Sequence, residues 1–498
     1  MIRTTLVVTA LLATASTASA QLISIRTVPV SQSHQFDIFP SRTVGMGGVS
    51  IAVKDSLLDP WVNPALAVRA GSTRFFGTPS TYSVSQNAGA GRTLPVGALG
   101  RLQSWYAGVF AALQEVDMSD RQFLVPPPCA VCLTSAAAID IPTPERSHGN
   151  TYVHALVGRD IGNGLSLGGS VDWSRLRAID GVDLLYAGSA NLEQFGHAVD
   201  VRVGLLKELP GDRSLEAMVL HNRFNTTHDV YYLDSMWDPA TGNPVQLPRL
   251  EKNLDRTNTW GLHLAYEQPI SRDGWRGGAE LTINRMDHPK IPNYEIMNIP
   301  RDPGNSSAFN LGVGLARQVA KATFAFDVVY EPIWSHTWAD SESPVTAANG
   351  RVIAPGGMTI ENRFRFSNVH ARMGVGQEFA IENGPAGELQ LGLAVRRIDY
   401  RLDQNDHVQL TNRSLDEAWT EWQPTWGLSF RFPLLEVRYH GSITHGTGRP
   451  GVGNNGLIFA VDESSRVGGN ILAAPSGPLT LDEVSVTTHQ ISISLPIH

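Results

Sequence analysis

The chain has 498 residues, a formal net charge of −8 and a sequence pI near 6.0. It contains no run rich in Lys or Arg, so binding to nucleic acid and basic anchoring to lipid headgroups are not indicated. Beyond the first 20 residues no uncharged apolar run reaches 18 residues, which excludes a helical membrane protein. A transmembrane β-barrel stays possible, because alternate residues face lipid and lumen and the mean hydropathy of −0.11 averages over both faces.

Residues 1–20 have the features of a secretory signal peptide. They carry one basic residue, Arg3, then an apolar run over Leu6–Ala15, and end in Ala18-Ser19-Ala20 before Gln21. This order predicts an A-x-A-type cleavage site, and the run is too short for a spanning helix. We therefore expect the mature protein to leave the cytoplasm.

Residues 21–72 are predicted to form a compact segment ahead of the strands. Gly45, Gly47 and Gly48 allow positive φ and close backbone approach. Asn63-Pro64 indicates a turn, because a residue before proline is biased away from helix. A large barrel would leak unless it were plugged or constricted, so this segment is either a hatch, or plug, in the lumen or a Gly-rich loop with no role beyond filling space.

Two cysteines, Cys129 and Cys132, lie in the sequence PPPCAVC in the first long loop. A redox role would need a helix N-terminus, which three preceding prolines do not favour. A zinc site would need two further ligands, for which His148 and His154 are distant candidates. The interpretation favoured for an oxidising exterior is a local disulfide.

Residues 73–498 are predicted to form an all-β, antiparallel transmembrane barrel. Phe309, Leu311, Val313 and Leu315 alternate with small or polar residues, and similar ladders recur around 199–205, 260–266, 324–330, 389–395 and 426–432. The aromatic and aliphatic face is expected to meet lipid, and the face with Gly, Asp, Arg and His is expected to line a wet lumen.

Short turns and long polar connections alternate along this region, as in single-chain outer-membrane barrels. The expected turns are 160–164, 209–213, 269–274, 319–321, 380–387 and 432–434, and the expected loops are 114–149, 177–196, 225–256, 289–306, 333–364, 403–420 and 445–483. This pattern predicts 14 strands. The number is 16 if Trp105–Val116 is one strand and Arg74–Gln103 forms a hairpin of its own.

No catalytic motif stands out. An H-E-x-x-H zinc motif is absent, and the charged run from Arg396 separates when the strand period is applied. Arg397, Asp399 and Arg401 then share one face while Arg396 takes the other. We predict that the chain is not an enzyme and that it uses no cofactor or metal.

The stretch Ser41–Leu66 resembles the N-terminal hatch of FadL-type outer-membrane transporters and of the related PorV-like barrels. The matching positions, in order, are Arg42, Gly45, Met46, Gly47, Gly48, Ala52, Asp55, Asn63, Pro64 and Ala65. The resemblance implies a 14-stranded barrel in the bacterial outer membrane, with the hatch inside it. It also implies that Arg42, Asp55 and Asn63 make polar contacts with the lumen wall.

For FadL-type proteins the implied function is passive uptake of hydrophobic small molecules, such as long-chain fatty acids or aromatic hydrocarbons. For PorV-like proteins it is service as a shuttle or assembly partner in protein secretion, and a purely structural barrel is a third possibility. The expected partners are outer-membrane lipid, the barrel-assembly machinery, and either a hydrophobic solute or a secreted protein. Candidate solute contacts in the loops, which fit an interfacial aromatic girdle equally well, are Tyr231, Tyr232, Met236, Trp237, Trp334 and Trp338.

Overall fold

Alternating apolar and polar residues build this chain almost entirely from β-strands. The structure is a computed structural model that describes residues 35–118, 133–134, 147–179, 189–240, 242–271, 273–288, 304–341, 343–450 and 481–497. The predicted signal peptide and both cysteines, Cys129 and Cys132, lie outside these residues. Among the described residues, no helix is long and apolar enough to span a membrane.

The strands follow one another with little other structure between them. In chain order they are β1 (Thr73–Gly77), β2 (Ser80–Val84), β3 (Ala90–Leu102), β4 (Trp105–Asp117), β5 (Leu133–Thr134), β6 (Ser147–Gly162), β7 (Leu165–Leu176), β8 (Asn191–Leu209), β9 (Arg213–Asp238), β10 (Asn243–Pro269), β11 (Trp275–His288), β12 (Gly304–Val319), β13 (Ala322–Asp340), β14 (Val345–Thr346), β15 (Val352–Ile353), β16 (Met358–Ala380), β17 (Ala386–Asp406), β18 (Thr411–Arg431), β19 (Glu436–Pro450) and β20 (Leu481–Ile497).

The main sheet closes on itself as an antiparallel barrel. Each wall strand pairs with its neighbour, and β1 and β2 both pair with β20 on one side and with β3 on the other. These two short strands therefore share one position in the ring, interrupted at Thr78 and Pro79. Proline cannot donate a ladder hydrogen bond, which accounts for a break at this point.

Within the described residues the ring has sixteen strand positions. This is the larger of the two predicted numbers, because residues 73–102 form a hairpin ahead of β4. The prediction of fourteen strands did not count that hairpin, whose first strand is short and interrupted. Three small strands lie outside the ring: β5 pairs in parallel with β10, and β14 pairs with β15.

All six predicted short turns connect strands as expected. Three predicted loops, 225–256, 333–364 and 403–420, are instead mostly strand, since β9 runs unbroken to Asp238 and β10 begins at Asn243, and comparable extensions flank the other two. A strand crosses a membrane in about 9–11 residues, whereas β9 has 26. In the extension of β9, apolar residues such as Val230 and Tyr231 no longer alternate with polar ones. Pairing therefore continues while the alternation that marks a strand disappears.

The two faces of the wall are distributed as predicted. Leu311 and Val313 are 49% and 61% exposed on the outer face, while between them Gly312 is buried on the inner face. Exposed tryptophans lie on the outer face, and the guanidinium of Arg159 lies 5.2 Å from the ring centre of one of them, Trp105. Buried polar residues such as His263 and Asn284 line the interior. A closed ring with an apolar exterior and a polar interior satisfies every backbone group while facing lipid. The chain is a multi-pass β-barrel of the bacterial outer membrane.

The strand period also assigns the charged run on β17 correctly. Arg397 donates to Asp399 at 2.9 Å on the partly exposed face. Arg396 is 2% exposed and points inward, where its Nη2 lies 3.8 Å from Glu331. The run is therefore a surface ion pair on one face and a buried charge on the other.

Candidate functional site: an N-terminal segment inside the barrel

Residues 35–72, called the N-terminal segment below, lie inside the ring of strands. The segment contains a 3-10 turn (Val44–Met46), the short helix α1 (Asp59–Val62) and a 3-10 helix (Pro64–Arg69). These elements contact wall strands on opposite sides of the ring, from β6, β7 and β8 to β16, β17 and β18. The segment meets the wall through the glycine-rich run and through Asn63-Pro64, the two features that the sequence singles out in this region.

The 3-10 turn packs backbone against backbone on β16, β17 and β18. A Cβ atom on Gly45 would lie 2.8 Å from the Cα of Gly427, and a Cβ on Gly392 would overlap the amide nitrogen of Gly47. Gly47 has φ +75° and ends the turn in the left-handed region, which an L side chain rarely adopts. Glycine is therefore required on both sides of this contact.

On the opposite wall, Asn63 and Pro64 pack against β7 and β8. A Cβ on Gly168 would lie 2.6 Å from the carbonyl carbon of Pro64, and one on Gly204 would overlap the Asn63 side chain. Asn63 is extended (φ −120°, ψ 108°), as expected before proline, and its Oδ1 accepts from the Ala65 amide at 3.2 Å. This residue separates the two helices and caps the second.

A third contact brings Ile51 against β11 and β12. A Cβ on Gly314 would lie 2.7 Å from the Cβ of Ile51, and one on Gly278 would overlap the Ile51 carbonyl oxygen. The inner-face glycines at these three contacts were predicted to face a wet lumen. They are instead contact surfaces for the N-terminal segment.

Polar wall residues hold the turn at defined positions. Thr425 Oγ1 donates to the carbonyl of Gly45 at 3.0 Å and accepts from the amide of Gly47 at 2.9 Å. Arg372 Nη1 donates to the carbonyl of Gly48 at 2.6 Å. Asp327 Oδ2 accepts from the amide of Ser50 at 2.7 Å. Each bond satisfies a backbone group that the segment's irregular conformation leaves free.

Arg42 and Asn63 reach the wall as the resemblance implied. Arg42 Nη2 lies 3.0 Å from Glu436 Oε2, and Asn63 Nδ2 donates to Glu216 Oε2 at 3.5 Å. Asp55 does not follow that expectation. Its carboxylate is 1% exposed and accepts from four donors within the segment, which are Ser41 Oγ and the amides of Arg42, Leu57 and Leu58. Asp55 therefore braces the segment internally.

Charged contacts also link the segment to the short turns, which lie on the periplasmic side in outer-membrane barrels. Arg69 Nε donates to Glu208 Oε1 at 2.8 Å at the end of β8. Lys54 Nζ donates to Asp212 Oδ1 at 3.1 Å in the turn between β8 and β9. The hydrogen bond from Lys54, with a further one from Arg276, lowers the pKa of Asp212 below its usual value.

An aromatic cluster fixes α1 against the strands that follow it. Trp61 is 1% exposed and stacks on Phe39 with ring centres 5.7 Å apart. The rings of Phe76 and Phe110, from β1 and β4, complete the cluster at 5.5 and 5.8 Å from Trp61. The sequence offered no signal for this cluster beyond the presence of an apolar Trp beside the glycine-rich run.

A cavity of about 500 Å³ lies between the N-terminal segment and the wall. Its apolar lining includes Phe36, Phe39, Trp61, Tyr152, Leu176 and Phe224. Its polar lining includes Asp200, Arg202, Asn222, Gln423, His440 and Gln490. Arg202 is held there by Asp200, at 2.6 Å, and by the carbonyl of Val62, at 3.0 Å. The segment therefore forms one wall of the cavity.

The six candidate solute contacts predicted from the sequence lie on β9 and β13. Tyr231 and Tyr232 are on the extension of β9, where Arg249 lies 4.4 Å from the ring centre of Tyr232. Trp334 and Trp338 are on β13, and Trp334 is half exposed on the outer face beside Phe309. None of these four lines the cavity. Met236 and Trp237 belong to β9, and their side chains lie outside the described structure.

Residues 164–168 spell G-L-S-L-G, which has the letters of a hydrolase G-x-S-x-G elbow. The elbow requires a sharp strand-to-helix turn that exposes the Ser hydroxyl. Here the letters cover a periplasmic turn and the start of β7, and Ser166 is 3% exposed. Gly168 serves instead as the contact for Pro64.

Comparison with known proteins gives a likeness of fold only. No family model matches the chain, and no curated protein sequence matches it. The Pseudomonas putida toluene transporter TodX is 12% identical, with a TM-score of 0.38 over 91% of this chain and 97% of that one. The CymD monoaromatic hydrocarbon channel is 11% identical, with a TM-score of 0.35 over 92% and 97%. The ferric enterobactin receptor PfeA of Pseudomonas aeruginosa is 9% identical, with a TM-score of 0.31 over 85% and 80%.

Proposed function

We propose that this barrel mediates passive uptake of hydrophobic small molecules, such as long-chain fatty acids or aromatic hydrocarbons, across the outer membrane. The observation that carries the proposal is the 500 Å³ cavity, whose apolar side is rich in aromatic residues. Cavities of this size with mostly apolar walls and a few polar groups are typical of small-molecule sites. The FadL-type resemblance of Ser41–Leu66 implies the same role.

In this proposal the N-terminal segment is the hatch, and residues 21–72 form one unit ahead of the barrel. In this role a solute passes the segment only after some of its contacts with the wall open. The glycine contacts of Gly45, Ile51 and Pro64 bury no charge, and Arg42 and Arg69 form ion pairs that are largely buried. The pair of Lys54 with Asp212 is solvent-exposed, so it is the contact that a small rearrangement breaks at the lowest free-energy cost.

The alternative role as a partner in protein secretion is supported by a different observation. The β9–β10 hairpin extends well past the length that a membrane requires, and it pairs in register up to Asp238 and Asn243. A long extracellular hairpin of this kind gives a protein partner a surface to bind.

Uptake of labelled oleate and of toluene by a deletion strain, with and without the restored gene, tests the proposal. Gene-dependent uptake of either solute is the expected result. If uptake is unchanged although the protein is detected in the outer membrane, the uptake role is wrong for these solutes. Capture of a secreted protein that is lost on shortening the β9–β10 hairpin would then favour the alternative.

A further inference from the structure

Four arginines gather at the periplasmic end of the lumen, on the side opposite the Lys54 contact. Arg438 on β19 is 1% exposed, Arg42 belongs to the N-terminal segment, Arg431 ends β18 and Arg74 lies on β1. All except Arg74 share one carboxylate, Glu436. Arg42 Nη2 lies 3.0 Å from it, Arg431 Nε lies 3.7 Å from it, and Arg438 Nη2 donates to it.

The cluster contains fewer carboxylates than guanidinium groups. Among the described residues, the carboxylates that form ion pairs with these guanidinium groups are Glu436 and Glu388, the latter 3.8 Å from Arg438 Nη1. Arg74 interacts electrostatically with Arg42, Glu436 and Arg431 without forming an ion pair of its own. With Asp55, which also interacts electrostatically with Arg42, four positive groups face three negative ones among the described residues.

Several N–H donors in the cluster are buried without a hydrogen-bond acceptor. They are Nε and Nη1 of Arg438, Nε of Arg42 and Nε of Arg74. A buried guanidinium N–H without an acceptor is costly, since desolvating a charged group is repaid only by a partner. The donors come from three parts of the chain, β1, β19 and the N-terminal segment, and they surround the same carboxylate.

We propose that Arg42, Arg74 and Arg438 bind an oxyanion, a carboxylate or phosphate group, at the periplasmic mouth of the barrel. Guanidinium groups match the paired oxygens of such anions with two parallel hydrogen bonds. An anion bound here joins the N-terminal segment, through Arg42, to β1 and β19. The source is either a small periplasmic ion or the charged head of an amphipathic molecule in the lumen.

Titration calorimetry on the full-length protein in neutral detergent, at constant ionic strength, tests this inference with inorganic phosphate, acetate and octanoate. Saturable binding of one anion per chain is expected. Arg74→Gln is expected to weaken it by about tenfold, as is Arg438→Gln where heat-modifiable migration shows a folded barrel. Arg213→Gln, which removes one charge from the same end of the barrel outside the cluster, is expected to leave binding unchanged.

Binding of octanoate well above acetate would identify the head of an amphipathic molecule as the source, and equal binding of the two would identify a small ion. An absence of saturable binding for all three anions would overturn the inference. Equal affinities in the wild type and in Arg74→Gln would do the same, since the anion would then bind elsewhere.

Discussion

Gly168 of β7 and Pro64 of the N-terminal segment are in direct backbone contact, so that a Cβ atom on Gly168 would lie 2.6 Å from the Pro64 carbonyl carbon. Its neighbour Gly169 points the other way, and a Cβ there would find its nearest atom, the Arg202 carbonyl oxygen, at 3.7 Å. The two adjacent glycines therefore differ in one respect: the N-terminal segment packs against Gly168 and not against Gly169.

Gly168→Ala is expected to displace the segment from this wall, because overpacking of this kind costs about 1–3 kcal/mol. The consequence is a higher open probability in planar-bilayer recordings. Gly169→Ala is the matched control and is expected to conduct like the wild type. Equal open probabilities in Gly168→Ala and Gly169→Ala would mean that the Pro64 contact does not close the lumen.

The second prediction concerns the hydrogen bonds by which Asp55 braces the segment. Asp55→Ala removes the acceptor of four hydrogen bonds and leaves buried donors unpaired, at about 1–3 kcal/mol for each one that finds no water. We expect limited proteolysis to cut within residues 35–72 of this variant while the barrel stays heat-modifiable. Asp55→Asn keeps one oxygen acceptor and is expected to be cut more slowly; cleavage at the wild-type rate in Asp55→Ala would contradict the bracing role.

Much of this architecture follows from local patterns. The period-2 ladders determine which face of each strand meets lipid, and the Asp, Asn and Gly residues between them determine the turns. The same patterns end where apolar and polar residues stop alternating, which is why the extension of β9 to Asp238 was predicted as a loop. The short strand β1 is too brief and too interrupted to be distinguished from a connection.

The partners of the N-terminal segment are beyond the reach of such patterns. A small residue on an inward position, such as Gly314, is equally consistent with water and with a packed backbone. Nothing in the local sequence indicates that Thr425 meets Gly45 across 380 positions. Contacts of this separation are set by the closure of the ring, which only the complete register determines.

Arg396 and Arg397 test the two faces of β17. Arg396→Ala leaves Glu331 buried with one charged partner fewer, and breaking a buried pair costs about 3–5 kcal/mol. Arg397→Ala removes a half-exposed pair with Asp399, worth about 0–1 kcal/mol. Urea unfolding followed by tryptophan fluorescence should separate the two variants clearly, and equal midpoints would contradict the inward placement of Arg396.

The lowered pKa of Asp212 leads us to expect that the link between the segment and the β8–β9 turn depends on pH. Its pKa is lowered in the folded protein, first by the hydrogen bond from Lys54, so the link is fully present above the unfolded value of about 3.9. The stabilisation is lost as the pH falls through the lower, folded value. Because Asp212 is 61% exposed, the effect is worth at most about 1 kcal/mol.

Current fluctuations recorded as the pH is lowered from 7 through the folded pKa of Asp212 should therefore increase in the wild type. Asp212→Asn is expected to fluctuate more than the wild type at pH 7 and to change less with pH. An unchanged acid response in Asp212→Asn would assign the pH dependence to another group.

Phe36 offers the most direct test of the cavity. It lines the cavity while 48% exposed, so a bound apolar solute covers it. Covering half of a Phe side chain is worth roughly 1–1.5 kcal/mol, so Phe36→Ala should weaken binding of an apolar solute about tenfold. Phe75, equally exposed at 50% on the outer face of β1, gives the control Phe75→Ala, which is expected to bind as the wild type does. Quenching of tryptophan fluorescence by a titrated apolar solute measures both, and equal affinities in the two variants would place the solute outside this cavity.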